Sequence, residues 1–171
     1  MASPQPAREY VFLPGGQLCL ASVSEPALKV LHEALKLARE TRWDNVRSPH
    51  IFMGLLAVPD SGIRAWGKLL ETDLERMLTE FQDLFHQEQG EKEAVLVLNR
   101  EFLSDNFIRI LREAFGRAKH YRRAAVTPMD LLITLLTASD SVVADCFERS
   151  GATPAKLTEL AILAEQQAGV K

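Results

Sequence analysis

The chain has 171 residues, 47% of them hydrophobic and 25% charged, with a formal net charge of −3. That balance suits one globular core and argues against both a disordered tail and a general polyanion binder. No apolar run approaches the ~20 residues of a membrane span, and no basic stretch followed by an apolar one marks a secretory leader. Two cysteines, Cys19 and Cys146, lack metal-ligand spacing, so a reducing, cytoplasmic setting is expected.

In chain order, residues 1–9 are polar and proline-bearing and read as a loose arm. Tyr10-Val11-Phe12-Leu13, the turn Pro14-Gly15-Gly16 and Gln17-Leu18-Cys19-Leu20 read as a short β-hairpin. Two strands alone are marginal in water, and Ala94-Val95-Leu96-Val97-Leu98 offers a third segment for them to pair with or pack on. From Ser24 the apolar period becomes helical, with Leu28, Leu31, Leu35 and Ala38 on one stripe behind a Ser24 cap. The Trp43-Asp44-Asn45 stretch is expected to end this helix.

Ser48-Pro49 and Thr127-Pro128 each place a hydroxyl residue before a proline and a dense apolar run ending in Leu-Leu. Both read as helix starts, with Ser or Thr as N-cap and proline at the first helical position. Asp60, Asp73 and Ser104 are further N-caps, Asp140-Ser141 opens another helix, and Gly151-Ala152-Thr153-Pro154 ends one helix and starts the last.

The two halves repeat. At a shift of 80 positions Ser24, Leu31, Glu33, Ala34, Ala38, Arg42, Val46, Leu55, Leu56, Asp60 and Ser61 all meet identical residues, where composition alone gives roughly three or four such matches over this length. The two Ser/Thr-Pro pairs slip by one in that register, so their helix starts are not required to superpose. The expectation is an all-α fold of two tandem four-helix repeats related by a pseudo-twofold axis, plus the N-terminal hairpin. The divisions are an arm and hairpin over 1–22, a first repeat over 23–87, a linker over 88–103 and a second repeat over 104–168.

No catalytic set emerges. His32-Glu33 begins like a zinc-protease helix, but Lys36 occupies the place of the second ligand. Gly151 to Lys156 lacks the glycine before the lysine of a phosphate loop and contains Pro154. Neither metal nor cofactor is expected. The conspicuous charge feature runs Arg109, Arg112, Arg117, Lys119, His120, Arg122, Arg123. It is either a solvated helix face or a docking patch for an acidic partner, and with Tyr121 alone interleaved it is a poor single-strand nucleic-acid platform. Trp43, beside Arg42 and Arg47, has hot-spot character if exposed.

A tandem repeat of roughly 75–80 residues, each a capped amphipathic helix followed by a Ser/Thr-x-His-Leu-Leu-like helix, resembles the Clp amino-terminal repeat domain. The carrying stretches are Ala27 to Ala34, Ser48 to Leu56 and Ser150 to Leu157, and the resemblance spans about residues 22–168. It implies a non-catalytic domain that docks substrates or adaptors for a Clp-type AAA+ unfoldase, protease or disaggregase. In members that bind phosphoarginine, an acidic residue precedes the motif histidine. Here Pro49 and Met129 hold those positions, and neither can pair with a guanidinium. Where disaggregases line an apolar groove, the aligned residues are Glu113, Arg117 and Asp130, which implies a folded or charged partner. The candidate partner-binding residues are therefore Trp43, Arg47, His50, Glu113, Arg117, Arg123 and Asp130, concentrated at the loop–helix junctions Trp43–His50 and Arg123–Asp130. The alternative is a stand-alone regulatory or scaffold protein that self-associates through its hairpin.

Overall fold

The computed structural model describes residues 11–87, 96, 98–138, 141–148 and 151–168. Among these lie eight α-helices: α1 (Glu25–Glu40), α2 (Ser48–Ala57), α3 (Ser61–Leu69), α4 (Leu74–Phe85), α5 (Asp105–His120), α6 (Pro128–Thr137), α7 (Val142–Glu148) and α8 (Pro154–Gln167). The fold is all-α, and the elements run in the same order twice.

Local chemistry sets the boundaries. Ser24 and Ser104 adopt the same extended backbone and accept the amides of Ala27 and Phe107 at 3.3 and 3.1 Å, satisfying donors that a helix start leaves bare. Asp60, Asp73 and Thr153 do the same for α3, α4 and α8. Ser141 accepts the Ala144 amide at 3.0 Å at the start of α7. The helix stops are also matched. Arg42 and Arg122 both turn left-handed, at φ 69° and 61°, and the next amide, Trp43 or Arg123, returns 2.8 Å to the carbonyl of Ala38 or Ala118. α1 thus ends at Glu40, ahead of the Trp43-Asp44-Asn45 stretch expected to stop it. A non-glycine residue in this region costs about 1–2 kcal/mol, and both repeats accept it at the same place.

The repeats lock together by exchange. Val46 pairs in parallel with Leu103, and Val126 with Val23. The Ser104 and Ser24 amides donate to the Val46 and Val126 carbonyls at 2.9 Å each. The Val46 and Val126 amides donate to Phe102 and Ser22 at 2.8 Å. Each contact has its counterpart at a shift of 80, which is the pseudo-twofold relation expected from the repeat. Neither half completes its own backbone pairing.

The apolar helices α2 and α6 occupy the centre, with Ile51, Phe52, Met53, Leu55, Met129, Leu131 and Leu132 all at 0% exposure. Phe52 lies 4.8 Å from Phe81, 5.8 Å from Phe147 and 6.1 Å from Trp66 by ring centroid. This aromatic cluster mixes side chains of both repeats. Trp66, fully buried, donates its indole N–H to the Leu157 carbonyl of α8 at 3.2 Å. A single side chain thereby ties α3 to the far end of the sequence, and truncating it would cost about 3–5 kcal/mol.

Two expectations change. The sequence places Ser48 at the N-cap of α2, yet the cap is Arg47, with Ser48 and Pro49 in the first turn. The helix starts therefore do superpose at a shift of 80, Arg47 on Thr127 and Ser48 on Pro128. Proline is tolerated anywhere in a first turn, so burial of the Ile51 and Leu131 faces sets the register, not the hydroxyl. The hairpin is a tight loop with an isolated bridge between Phe12 and Leu18. Cys19 donates to Val11, and Leu13 to Gln17, both at 2.7 Å, while Gly16 turns at φ 88°. No strand forms among the described residues. Of the third segment, Leu96 is buried and the Leu98 carbonyl accepts from Leu18 at 3.3 Å. Tyr10, Ala94, Val95, Val97 and the polar run from Glu88 lie outside the described residues.

Candidate partner-binding site

The two loop–helix junctions singled out in the sequence become two differently built sites at one repeat position. In the first repeat, His50 at the third residue of α2 is 1% exposed. Its Nδ1 accepts the Arg47 amide at 3.0 Å. An amide can only donate, so the proton of the neutral ring lies on Nε2, 3.3 Å from the Thr41 hydroxyl. That hydroxyl itself donates to the Leu37 carbonyl at 2.7 Å. Burial, and then the Arg47 charge, push the His50 pKa down from 6.5 to about 3. This histidine is neutral and structural.

Above it sits an aromatic–cation pair. Trp43 meets the imidazole edge-on at 5.6 Å and donates its indole N–H to the Phe85 carbonyl at 2.6 Å. The Arg47 guanidinium lies 4.6 Å over the Trp43 ring, and its Nε donates to Asn45 at 2.9 Å. Trp43 is half-buried and Arg47 exposed, so the ring is fixed from below while its cationic neighbour faces solvent. The two border a pocket of about 170 Å³ that also takes in Pro49 and Phe85, with Ser104, Asn106 and Val142 from the second repeat. The pocket straddles the seam between the repeats.

In the second repeat, Asp130 occupies the His50 position and is 0% exposed. Its carboxylate accepts Arg117 at 2.7 Å, Arg123 at 2.8 Å through Nη2 and again through Nη1, and the Thr127 amide at 2.9 Å. Thr127 completes a reciprocal capping box by accepting the Asp130 amide at 3.2 Å. Arg117 also forms a two-pronged pair with Glu165 of α8, at 2.9 and 2.8 Å. Burial alone would raise the Asp130 pKa, but hydrogen bonds from Arg123, Thr127 and Arg117 hold it below the usual carboxylate range. The Asp130 hydrogen bond keeps Arg123 above its ordinary value. Burial opposes the charge on Arg117, yet Glu165 and Asp130 keep it raised as well. Two guanidiniums and two carboxylates cancel, and the cluster welds α5, α6 and α8 together.

Trp43, Arg47 and His50 thus come together, as do Arg117, Arg123 and Asp130. Glu113 joins neither group; it is exposed on α5, 3.9 Å from Arg109. Asp130 and Arg117 bind each other instead of lining a charged groove. Pro49 borders the pocket, whereas Met129 is fully buried against Gly62, where an added Cβ would meet its Cγ at 2.7 Å. Sequence reasoning missed Glu165, Thr41 and Phe85. For Glu165 there was a signal: Leu157, Ala161 and Glu165 recur every fourth residue, which puts a carboxylate on the buried stripe of α8. No group of three or more metal-ligating side chains occurs among the described residues, and no described helix is long and apolar enough to cross a membrane.

This architecture is that of the Clp-type amino-terminal domains. Its solved counterparts include the N-terminal domain of the Arabidopsis thaliana caseinolytic protease-associated chaperone ClpD, at TM-score 0.67 and 17% identity over 88% of this chain and 99% of that one. The Hsp104 N-terminal domain from Candida albicans matches at 0.65 and 14%, covering 82% and 89%. The N-domain of ClpV from Vibrio cholerae matches at 0.63 and 18%, covering 85% and 86%. No protein-family model and no curated protein sequence matches the chain.

Proposed function

We propose that this chain is a non-catalytic recognition module, docking protein substrates or adaptors for a Clp-type AAA+ unfoldase, protease or disaggregase in the cytoplasm. The observation that carries the reading is the seam pocket beside Trp43 and Arg47. A rigid indole under an exposed guanidinium, bordered by Pro49 and Phe85, is an anchor that a partner side chain can fill without reordering the domain. Trp43 and Arg47 supply the contact, and His50 holds them in place. Arg117, Arg123 and Asp130 keep the second repeat rigid, and Glu113 belongs to the outer face of α5.

The test is biolayer interferometry of the immobilised chain against a purified Clp-type ATPase ring and against a permanently unfolded model substrate. At least one should bind. Arg47→Glu should weaken that binding about tenfold while leaving the thermal midpoint within a degree or two. Absence of binding to both, or binding indifferent to Arg47→Glu, would sink the reading. Self-association through the hairpin is the weaker alternative, because Val11, Phe12 and Leu18 are buried on their own domain and Gln17 is already bridged to Asn99. Equal monomeric sedimentation of the full chain and one lacking residues 1–22 would remove it.

A further inference from the structure

The residue that follows α5 differs between the repeats in a way the core does not require. Thr41 in the first repeat is buried and spends its hydroxyl on Leu37 and His50. Tyr121 at the equivalent place is 53% exposed. It does not swing freely. The Arg117 and Arg123 guanidiniums lie 4.9 and 5.8 Å from its ring centroid, and His120 meets it edge-on at 5.0 Å. Because Asp130 and Glu165 pin both arginines, the ring rests on a rigid base while about half of the residue remains in water.

The outer face of α5 beside it is basic apart from Glu113, which pairs with Arg109 at 3.9 Å, and it has a gap. Arg112, Lys119 and Arg122 are exposed and carry no ion pair among the described residues. Gly116 lies among them, inside a 16-residue helix, where glycine is the least favourable residue after proline. An added Cβ there would meet nothing within 4 Å, so no contact among the described residues calls for a glycine. Bare backbone on a charged helix face is what a second helix needs in order to approach closely.

We propose that the outer face and C-terminal turn of α5 form a docking surface for an acidic helical protein segment, with Tyr121 as anchor and Gly116 as the point of closest approach. Arg112, Lys119 and Arg122 supply the complementary charge. The chain's own net charge of −3, and Tyr121 as the single exposed aromatic among the described residues, favour protein over nucleic acid. This surface shares no residue with the Trp43 pocket, so the proposal deepens the recognition reading and can fail without it.

The test selects phage-displayed helical peptides against the intact chain and measures the free winning peptide by fluorescence anisotropy. Selected sequences should carry Asp or Glu along one face. Tyr121→Ala should weaken the best peptide about tenfold or more. The double change Lys119→Glu and Arg122→Glu should weaken it most at low salt. Gly116→Leu should weaken it while raising the thermal midpoint, which separates a docking role from a folding one. Selection without acidic enrichment, unchanged affinity in Gly116→Leu and the charge-reversed chain, or tighter binding of an oligothymidylate than of the best peptide would each overturn the proposal.

Discussion

His50 and Asp130 occupy one position in two copies of the same motif and do the same backbone work in opposite electrostatic regimes. Each reaches back from the third residue of its helix to the amide of the N-cap, at 3.0 and 2.9 Å. His50 does it as a neutral ring whose other nitrogen is absorbed by Thr41. Asp130 does it as an anion whose charge is met by Arg117 and Arg123, which Glu165 in turn balances. A duplicated fold can therefore keep its backbone and diverge in everything that contacts the cap. Only the first repeat is left with a pocket-lining aromatic beside it, and only the second acquires a salt-bridged base for an exposed one.

The contrast is broken most severely from the Asp130 side. Asp130→Ala leaves two half-buried guanidiniums sharing Glu165 alone, and should cost about 3–5 kcal/mol in a urea titration. A loss below about 1 kcal/mol would mean that the cluster is solvated and not structural.

Acid separates the two sites next. The folded-state His50 pKa is about 3 against an ordinary 6.5, so the unfolded chain takes up the proton first. Stability from this group is complete above pH 6.5 and falls as pH drops toward 3, by about 2–3 kcal/mol between 6.5 and 4.5. Asp130 is depressed instead from the usual carboxylate value near 3.9, so its contribution is complete above roughly pH 4 and is lost only below it. The urea midpoint should therefore decline through the mildly acid range, and His50→Asn, which cannot take up a proton, should flatten that decline. A decline unchanged by His50→Asn would assign it elsewhere.

Helix spacing differs between the repeats as well. Gly54 of α2 lies so close to α1 that an added Cβ would meet the Val30 carbonyl oxygen at 2.5 Å. Its counterpart in α6 is Thr134, whose side chain is accommodated and buried. Gly54→Ala should cost about 1–3 kcal/mol by overpacking, read as a shift in denaturation midpoint. A neutral result would show that α1 and α2 can separate as α5 and α6 have.

The helices and their duplication were legible because caps, prolines and apolar spacing are local signals, and because eleven identities fell in one register. The left-handed stops at Arg42 and Arg122 were not legible, since arginine carries no turn signature. The site was legible in part. Trp43, Arg47 and His50 stand within eight positions and come together, as do Arg117, Arg123 and Asp130 within fourteen. Glu165 and Phe85 arrive from helices 35 or more residues away in sequence, and nothing short-range in the chain announces that. Charge was only partly legible: Asp130 and Arg117 read as lining a groove, whereas in the fold both belong to one ion cluster, Arg117 forked onto Glu165 and Asp130 held twice by Arg123.

The smallest effect tests the register itself. Thr127 is a true N-cap, accepting the Asp130 amide and sitting ahead of Pro128 at the first helical position. Ser48, although it precedes a proline in the same way, is already the first residue of α2, and Arg47 takes the cap position without a side-chain capping bond. Thr127→Ala should therefore cost about 1 kcal/mol, and Ser48→Ala less than about 0.5 kcal/mol, in parallel urea titrations. Equal losses would mean that Ser48 caps α2 after all and that the two helices start one residue out of step. The identical spacing from His50 and Asp130 back to their caps argues for unequal ones.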